Sequence, residues 1–388
     1  MDKPMPHAAP TTLAEPRAAY IHVPFCVHRC GYCNFTVAAG RDDLIAGYLA
    51  ALEMELAALG RPREVETLFF GGGTPTHLPP ADLCRLLRIV RRWFPLAEPN
   101  EMSVEANPID IDAARLDVLE AAGVNRLSLG AQSFRLDKLR LLERDHQAEM
   151  IARAMELARP RVASLSLDLI FAAPGETLEE WLADVEQAVA LKPSHVSTYG
   201  LTFERGTTFW GRQLRGELPA ADDELQRAMF GQAIDRLAKA GYEHYEVSNH
   251  ALPGYRCRHN ETYWAAAEYF AAGPGAARYV AGRREVNHRS TTTYIKRVLA
   301  GQSPVAESET LLPPDRAREA LVLGLRRMAG IDREAFARQT GFEVESLVGE
   351  KLPRHIGAGL LADDGRRIRL TREGLFVSDG IWGDFLRV

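Results

Sequence analysis

Three thiols fall within one short loop, Cys26-Val-His-Arg-Cys30-Gly-Tyr-Cys33, directly after the apolar run Ala19-Tyr-Ile-His-Val-Pro-Phe25. Thiolate is a soft ligand that suits iron–sulfur clusters, zinc and cuprous copper. Three cysteines rather than four would leave a four-iron cluster with one iron lacking a protein ligand, a place where a small molecule can be chelated. A structural zinc site wants four ligands in closed tetrahedral geometry. His22 or His28 would have to supply the fourth, and zinc stays open as the alternative. A disulfide framework fits poorly, because five cysteines in 388 residues are too few and odd in number.

Other residue types in this chain are costly to place without a use. Gln132 and Asp168 interrupt otherwise apolar runs, where a polar group buried without a partner costs about 1–3 kcal/mol. Gly71-Gly72-Gly73-Thr74-Pro75 lets backbone approach a ligand closely and exposes N–H groups that suit a carboxylate. The plainer use of those glycines is a tight turn. Glu105 can accept hydrogen bonds from ribose hydroxyls, and Arg144 can pair with a ligand carboxylate. Arg256-Cys257-Arg258-His259, followed by Tyr263 and Trp264, offers two donors, two cations and two flat rings. That set suits a heme, which needs an axial donor in an apolar, aromatic setting, and suits equally an exposed turn with a packed Trp. Read as an extended segment, Cys257 and His259 would point the same way. Cys84 sits in an apolar helix pattern and reads as a small buried hydrophobe.

The elements that must carry these residues alternate steadily. Strands are predicted at Tyr20–Pro24, Thr67–Phe70, Met102–Glu105, Arg126–Leu129, Leu165–Ile170 and His195–Tyr199. Each is followed by a helix: 44–59 with Asp42 and Asp43 as caps, Pro79–Phe94, Asp112–Ala122, 147–159, 177–191 opened by the capping box Thr177-Leu-Glu-Glu180, and Leu225–Ala240. Six strand–helix units in a row predict a parallel sheet with right-handed crossovers. They are too few for a closed eight-stranded barrel, so the expectation is an open, partial (β/α)6 barrel. Barrel chemistry sits at the carboxyl ends of the strands. The cysteine loop, the Gly71–Gly73 run, Glu105-Ala-Asn-Pro108, Gly130-Ala-Gln132-Ser-Phe134, Asp168 and Tyr199-Gly200 all fall on that rim.

Taken together, Phe25-Cys-x3-Cys-x-Tyr-Cys-Asn34-Phe35, Phe70-Gly-Gly-Gly-Thr-Pro-Thr76, Glu105-Ala-Asn-Pro108, Leu129-Gly-x-Gln-Ser-Phe134 and Asp168-Leu-Ile-Phe171 resemble the HemN/HemW group of radical S-adenosylmethionine (SAM) proteins. Beyond the barrel, His259-Asn260-x-x-Tyr263-Trp264 is similar to the H-N-x-x-Y-W signature of the HemW heme chaperones. The resemblance implies that Cys26, Cys30 and Cys33 hold a [4Fe–4S] cluster whose open iron takes SAM. It places Tyr20, Tyr32, Gly72, Gly73, Thr74, Glu105, Gln132, Arg144, Asp168 and Gly200 around SAM. It implies heme as a further ligand with Cys257 and His259 as ligand candidates, respiratory haem proteins as acceptors, an electron donor, and peripheral contact with membrane proteins. The oxidase HemN carries a further Cys two residues after the triad, where this chain has Phe35, which points away from coproporphyrinogen oxidation. No side-chain catalytic acid or base is singled out. Ala172-Ala173 replaces a glycine-containing turn of the group, and the segment through Ala277 lacks its usual His. These departures keep a HemN-like radical SAM enzyme, including the methyltransferase and cyclopropane-forming classes, as the alternative.

Composition sets the outer bounds. A hydrophobic share of 46%, a charged share of 26% and a net charge of −5 describe an ordinary globular chain and point away from nucleic acid. No run approaches the roughly 20 apolar residues of a membrane span, the start lacks a signal-peptide apolar core, and cytoplasm is the expected compartment. Residues 1–18 read as a disordered tail, 19–250 as the barrel core, 251–305 as a connecting segment and 306–388 as a C-terminal winged-helix-like α+β module. In that module helices are predicted at Pro313–Leu325, Glu334–Gln339 and Val344–Leu361, the last interrupted by Pro353. A hairpin turns at Ala362-Asp-Asp-Gly365, with Arg366, Arg367 and Arg369 on its wing. A lid over the barrel mouth is its expected role.

Overall fold

A computed structural model describes residues 15–386. Six parallel strands, β1 (Ala18–Val23), β2 (Val65–Gly72), β3 (Leu96–Ala106), β4 (Arg126–Gln132), β5 (Ser164–Phe171) and β6 (His195–Gly200), pair side by side in chain order. That is the order of a barrel wall rather than of a doubly wound sheet. Helices α1 (Ile45–Ala57), α2 (Pro80–Trp93), α3 (Ala113–Ala121), α4 (Ala148–Ala158), α5 (Leu178–Ala190) and α6 (Asp223–Lys239) alternate with them. The helix α5 carries the complete Thr177/Glu180 capping box. Asp42 and Asp43 do not cap α1; Asp42 accepts from His77 and Asp43 pairs with Arg41. Short helices at Leu136–Leu141 and Thr208–Leu214 had no counterpart among the predicted elements.

The sheet has nine strands, three more than the repeat predicts. An antiparallel hairpin of β7 (Glu243–Glu246) and β8 (Asn249–Ala251) extends the β6 edge, and β9 (Phe270–Ala272) lies parallel to β1 on the opposite edge. The segment expected only to connect therefore contributes to the barrel wall. At the other end of the chain, Ala18 starts β1 and Arg17 pairs with Glu64 and Glu66, so the last residues of the expected tail are tied to the barrel. Residues 1–14 of that expectation lie outside the described residues.

Alternation along the strands sorts the barrel into two faces. Ile21, Val23, Leu68, Phe70, Met102, Val104, Leu127, Leu129, Leu167 and Leu169 pack into one apolar core with the helices. The intervening positions, among them Glu101, Ser103, Glu105, Arg126, Ser128, Ser166, Asp168 and His195, carry polar side chains to the other face. Cys84 differs from expectation: it lies on the exposed side of α2, one position past the buried Leu83.

Helix α7 (Arg258–Trp264) follows the hairpin, and a three-stranded antiparallel sheet, β10 (Ala277–Val280), β11 (Arg283–Asn287) and β12 (Val305–Thr310), with α8 (Thr291–Leu299), leads to the C-terminal module. There α9 (Pro313–Leu325), α10 (Arg333–Thr340) and the sheet of β13 (Ile331–Asp332), β14 (Leu361–Asp363) and β15 (Arg367–Leu370) enclose a second apolar core. The third predicted helix is split at Gly349, whose φ is +50°, into Val344–Val348 and Lys351–Gly357. Pro353 falls in the first turn of the second piece, where proline is tolerated. The module docks on Phe230 and Ile234 of α6, on Val247 and on Ala266. Among the described residues no helix is long and apolar enough to cross a membrane.

The Ala172 departure has a backbone consequence. Ala172 is buried at the end of β5 with φ +63°, a conformation costing an L-residue about 1–2 kcal/mol. Ala172→Gly is expected to stabilise the protein by about 1 kcal/mol, after the entropy glycine adds to the unfolded chain, read as a higher urea midpoint at unchanged slope.

Candidate functional site

The cysteine loop leaves β1 by a two-residue parallel pairing of Phe25–Cys26 with Ala38–Ala39 and closes a turn through Cys33 N–H to Cys30 O at 3.0 Å. Later segments fix it from outside. The Phe209 N–H donates to Gly31 O at 2.8 Å, His28 Nε2 meets Glu143 O at 2.6 Å and His28 Nδ1 lies 3.1 Å from Asp145. Glu143 presents that carbonyl from a left-handed conformation, φ +56°. No three His, Cys, Asp or Glu side chains among the described residues converge on one ion-sized point. The three thiols instead face a common cavity of about 540 Å³ at the carboxyl end of the strands.

Each strand end sends something into that cavity. The Gly71–Gly73 run crosses so close to β1 that a Cβ at Gly72 would stand 2.3 Å from the His22 ring, and one at Gly73 2.7 Å from Phe25 O. Gly72 also has φ +109°, so only glycine fits. Its N–H donates to Glu105 Oε2 at 2.9 Å, and Thr74 Oγ1 lies 3.3 Å from Cys26 Sγ. Burial pushes Glu105 up to about 7, the Gly72 N–H pulls the other way, and the Asp168 charge adds to the rise. Asp168 accepts from Ser128 Oγ at 3.0 Å and is likewise raised by burial. Gln132 stands at φ +62°, a left-handed conformation of the kind that clusters at working sites. Arg144 donates to Gly130 O at 2.9 Å and reaches Cys30 Sγ at 3.9 Å, while its buried Nε has no partner; the same is true of Asn107 Oδ1.

The cavity thus brings together Cys26, Cys30, Cys33, Tyr32, Gly72, Gly73, Thr74, Glu105, Gln132, Arg144, Asp168 and Gly200. Tyr20 is not among its lining residues. Its ring stacks on Phe69 with centroids 6.1 Å apart, and its hydroxyl lies 3.2 Å from His22 Nδ1. Asn107 and Tyr199, from the rim motifs, also line the cavity, as does Ser128, which no motif included. No lining residue lies beyond Glu204, so the C-terminal module does not cover the mouth and the expected lid role is corrected.

Cys257 and His259 require a second correction. They do not share a face of an extended segment: Cys257 is the N-cap residue of α7 and His259 lies in its first turn. Glu101 is the reason. Its carboxylate accepts the Arg258 N–H at 2.9 Å, the His259 N–H at 3.0 Å and the Cys257 thiol at 3.5 Å, anchoring a helix N-terminus on a strand of the barrel. His259 is buried with both ring nitrogens engaged, Nδ1 with Thr67 Oγ1 at 2.9 Å and Nε2 with the Tyr263 hydroxyl at 2.8 Å. Its ring stacks on Phe69 at 5.2 Å. Burial lowers its pKa to about 3 and raises that of the Cys257 thiol to about 12. As folded, neither residue presents a free donor to heme iron. The polar strand face continues this floor, with His195 bridging Ser166 Oγ at 2.8 Å and the Tyr245 hydroxyl at 2.9 Å.

The profile of the Radical SAM superfamily matches residues 20–188, and that of the HemN C-terminal domain matches residues 311–377. The chain is 36% identical over 375 residues to the heme chaperone HemW of Lactococcus lactis, spanning 96% of this chain and 98% of that one. It is 35% identical over 365 residues to the Escherichia coli heme chaperone HemW, spanning 92% and 95%. It is 34% identical over 391 residues to the mitochondrial radical S-adenosyl methionine domain-containing protein 1 of Bos taurus, spanning 96% and 88%. The solved structure of the E. coli coproporphyrinogen III oxidase HemN superposes with a TM-score of 0.84 over 96% of this chain and 90% of that one; at 24% identity this speaks to fold alone.

Proposed function

The chain belongs to the HemW family of radical SAM proteins, and from that premise we propose that it is a heme chaperone that binds heme and hands it to acceptor haem proteins. A [4Fe–4S] cluster and SAM accompany the family's fold. The observation that carries their placement here is the convergence of three thiols and nine of the ten expected SAM residues on one cavity. The residues fit the group. The donor set is wholly thiol, the buried Arg144 guanidinium has an unused Nε beside it, and the Gly72–Gly73 backbone leaves no room for side chains.

Cys26, Cys30 and Cys33 would hold three irons, and the open iron would chelate the amino and carboxylate groups of SAM. Arg144 supplies a cation toward that carboxylate. Gly72 and Gly73 admit the ligand against bare backbone. Glu105, held by the Gly72 N–H, accepts from ribose hydroxyls, and Gln132 and Asp168 position the rest. Acceptor haem proteins, an electron donor and a cytoplasmic setting with peripheral membrane contact complete the reading as further proposals.

Glu105 gives the cavity a pH dependence. With its carboxyl raised to about 7 by burial, protonation below that value removes an acceptor from the ribose. SAM affinity is therefore expected to fall as pH drops from 8 to 6, by up to about tenfold per unit below 7. Titration calorimetry across that range checks it, and Glu105→Gln should flatten the dependence. Folding responds with the opposite sign: a carboxyl whose folded pKa exceeds its unfolded one favours the folded state at low pH. That stability is lost as pH rises from about 4.5 through 7.

The decisive test is anaerobic reconstitution of the cluster followed by titration with hemin. A saturable Soret band, at one heme per chain and transferable to an apo-haem protein, is expected. Substrate-dependent formation of 5′-deoxyadenosine without any hemin complex would replace the chaperone by an enzyme.

A further inference from the structure

Of the buried side-chain polar atoms that lack a partner among the described residues, only two belong to walls of the cysteine-lined cavity: Arg144 Nε and Asn107 Oδ1. One is a donor and the other an acceptor. A buried polar atom left unpaired is costly, so each calls for a partner that the folded chain does not supply. We propose that Asn107 Oδ1 accepts an N–H of the SAM amino group, so that Asn107 and Arg144 together read the amino-acid end of that ligand. The inference rests on the SAM cavity proposed above and adds a recognition residue to it.

The ordinary use of this side chain is not made. Asn107 is the N-cap residue of the short turn Pro108–Asp110, where an asparagine commonly caps through its side chain. Here the side chain makes no capping bond, and only the backbone carbonyl is used, by the Asp110 N–H at 2.9 Å. A φ of −91° and a ψ of 136° continue the extended path of β3. Asn107 therefore projects on the same face as Glu105, two residues earlier, and one step closer to the rim. The neighbouring strand leaves room there. A Cβ at Gly130 would stand 3.4 Å from Arg144 Nη2 and 3.8 Å from Ala106 O, so the peptide leading into Asn107 and the Arg144 guanidinium meet across a glycine. The competing acceptors are already engaged. Glu105 takes the Gly72 N–H, Asp110 the Thr76 hydroxyl, Asp168 the Ser128 hydroxyl, and Asp145 pairs with His28. Glu204, the remaining carboxylate of the lining, is exposed to water. An amine bound to iron is neutral and keeps its N–H groups, which suits an uncharged amide oxygen.

The test is calorimetric titration of the anaerobically reconstituted full chain, as wild type, Asn107→Ala and Asn107→Asp, with SAM and with its deamino analogue, identical but for the missing amino group. Asn107→Ala should weaken SAM about tenfold, the scale of one hydrogen bond. It should leave the affinity for the deamino analogue at the wild-type value, because that complex never contained the contact. Asn107→Asp keeps an acceptor and lacks the amide donor, so it should recover most of the loss. Iron and sulfide contents of both variants should match the wild type. Equal weakening of both ligands by Asn107→Ala, no weakening of either, or a loss as large in Asn107→Asp would overturn the assignment while leaving the SAM cavity intact. A variant that loses its cluster along with its affinity would overturn it as well. A wild type that binds no SAM would instead overturn the reading of the cavity on which the assignment rests.

Discussion

Cys30→Ser, reconstituted without air, should emerge with its iron–sulfur absorbance reduced more than tenfold, whereas wild type should take up about four irons and four sulfides per chain. The argument is one of ligand count and ligand softness. A cubane with one iron deliberately open has only three protein bonds, and serine offers a hard, rarely ionised oxygen in place of a thiolate. Cys30 Sγ has three polar neighbours, His28 Nε2 at 3.8 Å, Glu143 O at 3.6 Å and Arg144 at 3.9 Å. The one imidazole in that shell, His28, is already engaged by Glu143 O and Asp145. SAM affinity should fall with the cluster, since the open iron would bind two of the ligand's polar groups. Metal analysis separates this outcome from the zinc alternative: one zinc and no acid-labile sulfide in the wild type would refute the cluster.

The parts of the site that could be read in advance share a physical origin. Strand ends of a barrel converge, so a cysteine loop, a glycine run, Glu105, Gln132 and Asp168, each at, near or just past the end of a predicted strand, must meet on one rim. Only spacing is needed for that inference. Tyr20 escaped it because it lies in mid-strand, where its ring turns to Phe69 instead of the cavity. The floor was harder to foresee. Glu101, Arg126 and His195 sit at alternate, inward positions of their strands, and that alternation is visible in the sequence. What each one binds lies far along the chain: Glu101 takes the start of α7, 157 positions away, Arg126 reaches Tyr255 O and His195 the Tyr245 hydroxyl. The extended reading of Cys257 and His259 failed for the same reason: a distant carboxylate starts a helix there. Cys84 was misplaced by one helical position, since burial on α2 follows Leu83, Leu86 and Leu87. The module taken for a lid docks on α6 and Val247 through apolar contacts that no local pattern announces.

Lys138→Met should lower stability by about 3–5 kcal/mol, the range for removing one partner of a buried ion pair. Lys138, Glu176 and Asp184 form a triad whose side chains are at most 2% exposed. Asp184 also accepts from Ser133 Oγ at 2.6 Å and from the Phe134 N–H at 2.8 Å, and Glu176 accepts the Ala173 N–H at 3.0 Å. The triad therefore clamps the loop after β4 to the loop after β5, the two segments that hold Gln132 and Ala172 in left-handed conformations. Without the ammonium, two carboxylates face each other away from water. Glu176, already raised by burial and held down chiefly by Lys138, would then take up a proton. Its folded pKa would rise further above the unfolded value, so the variant should recover stability as pH falls from 8 to 6. Urea unfolding at both pH values reads the loss and its recovery together. SAM affinity should fall in parallel, because Gln132 would lose the clamp that maintains its strained backbone. A variant within 1 kcal/mol of wild type at pH 8, with SAM affinity unchanged, would show that the two loops hold their conformation without the buried charges.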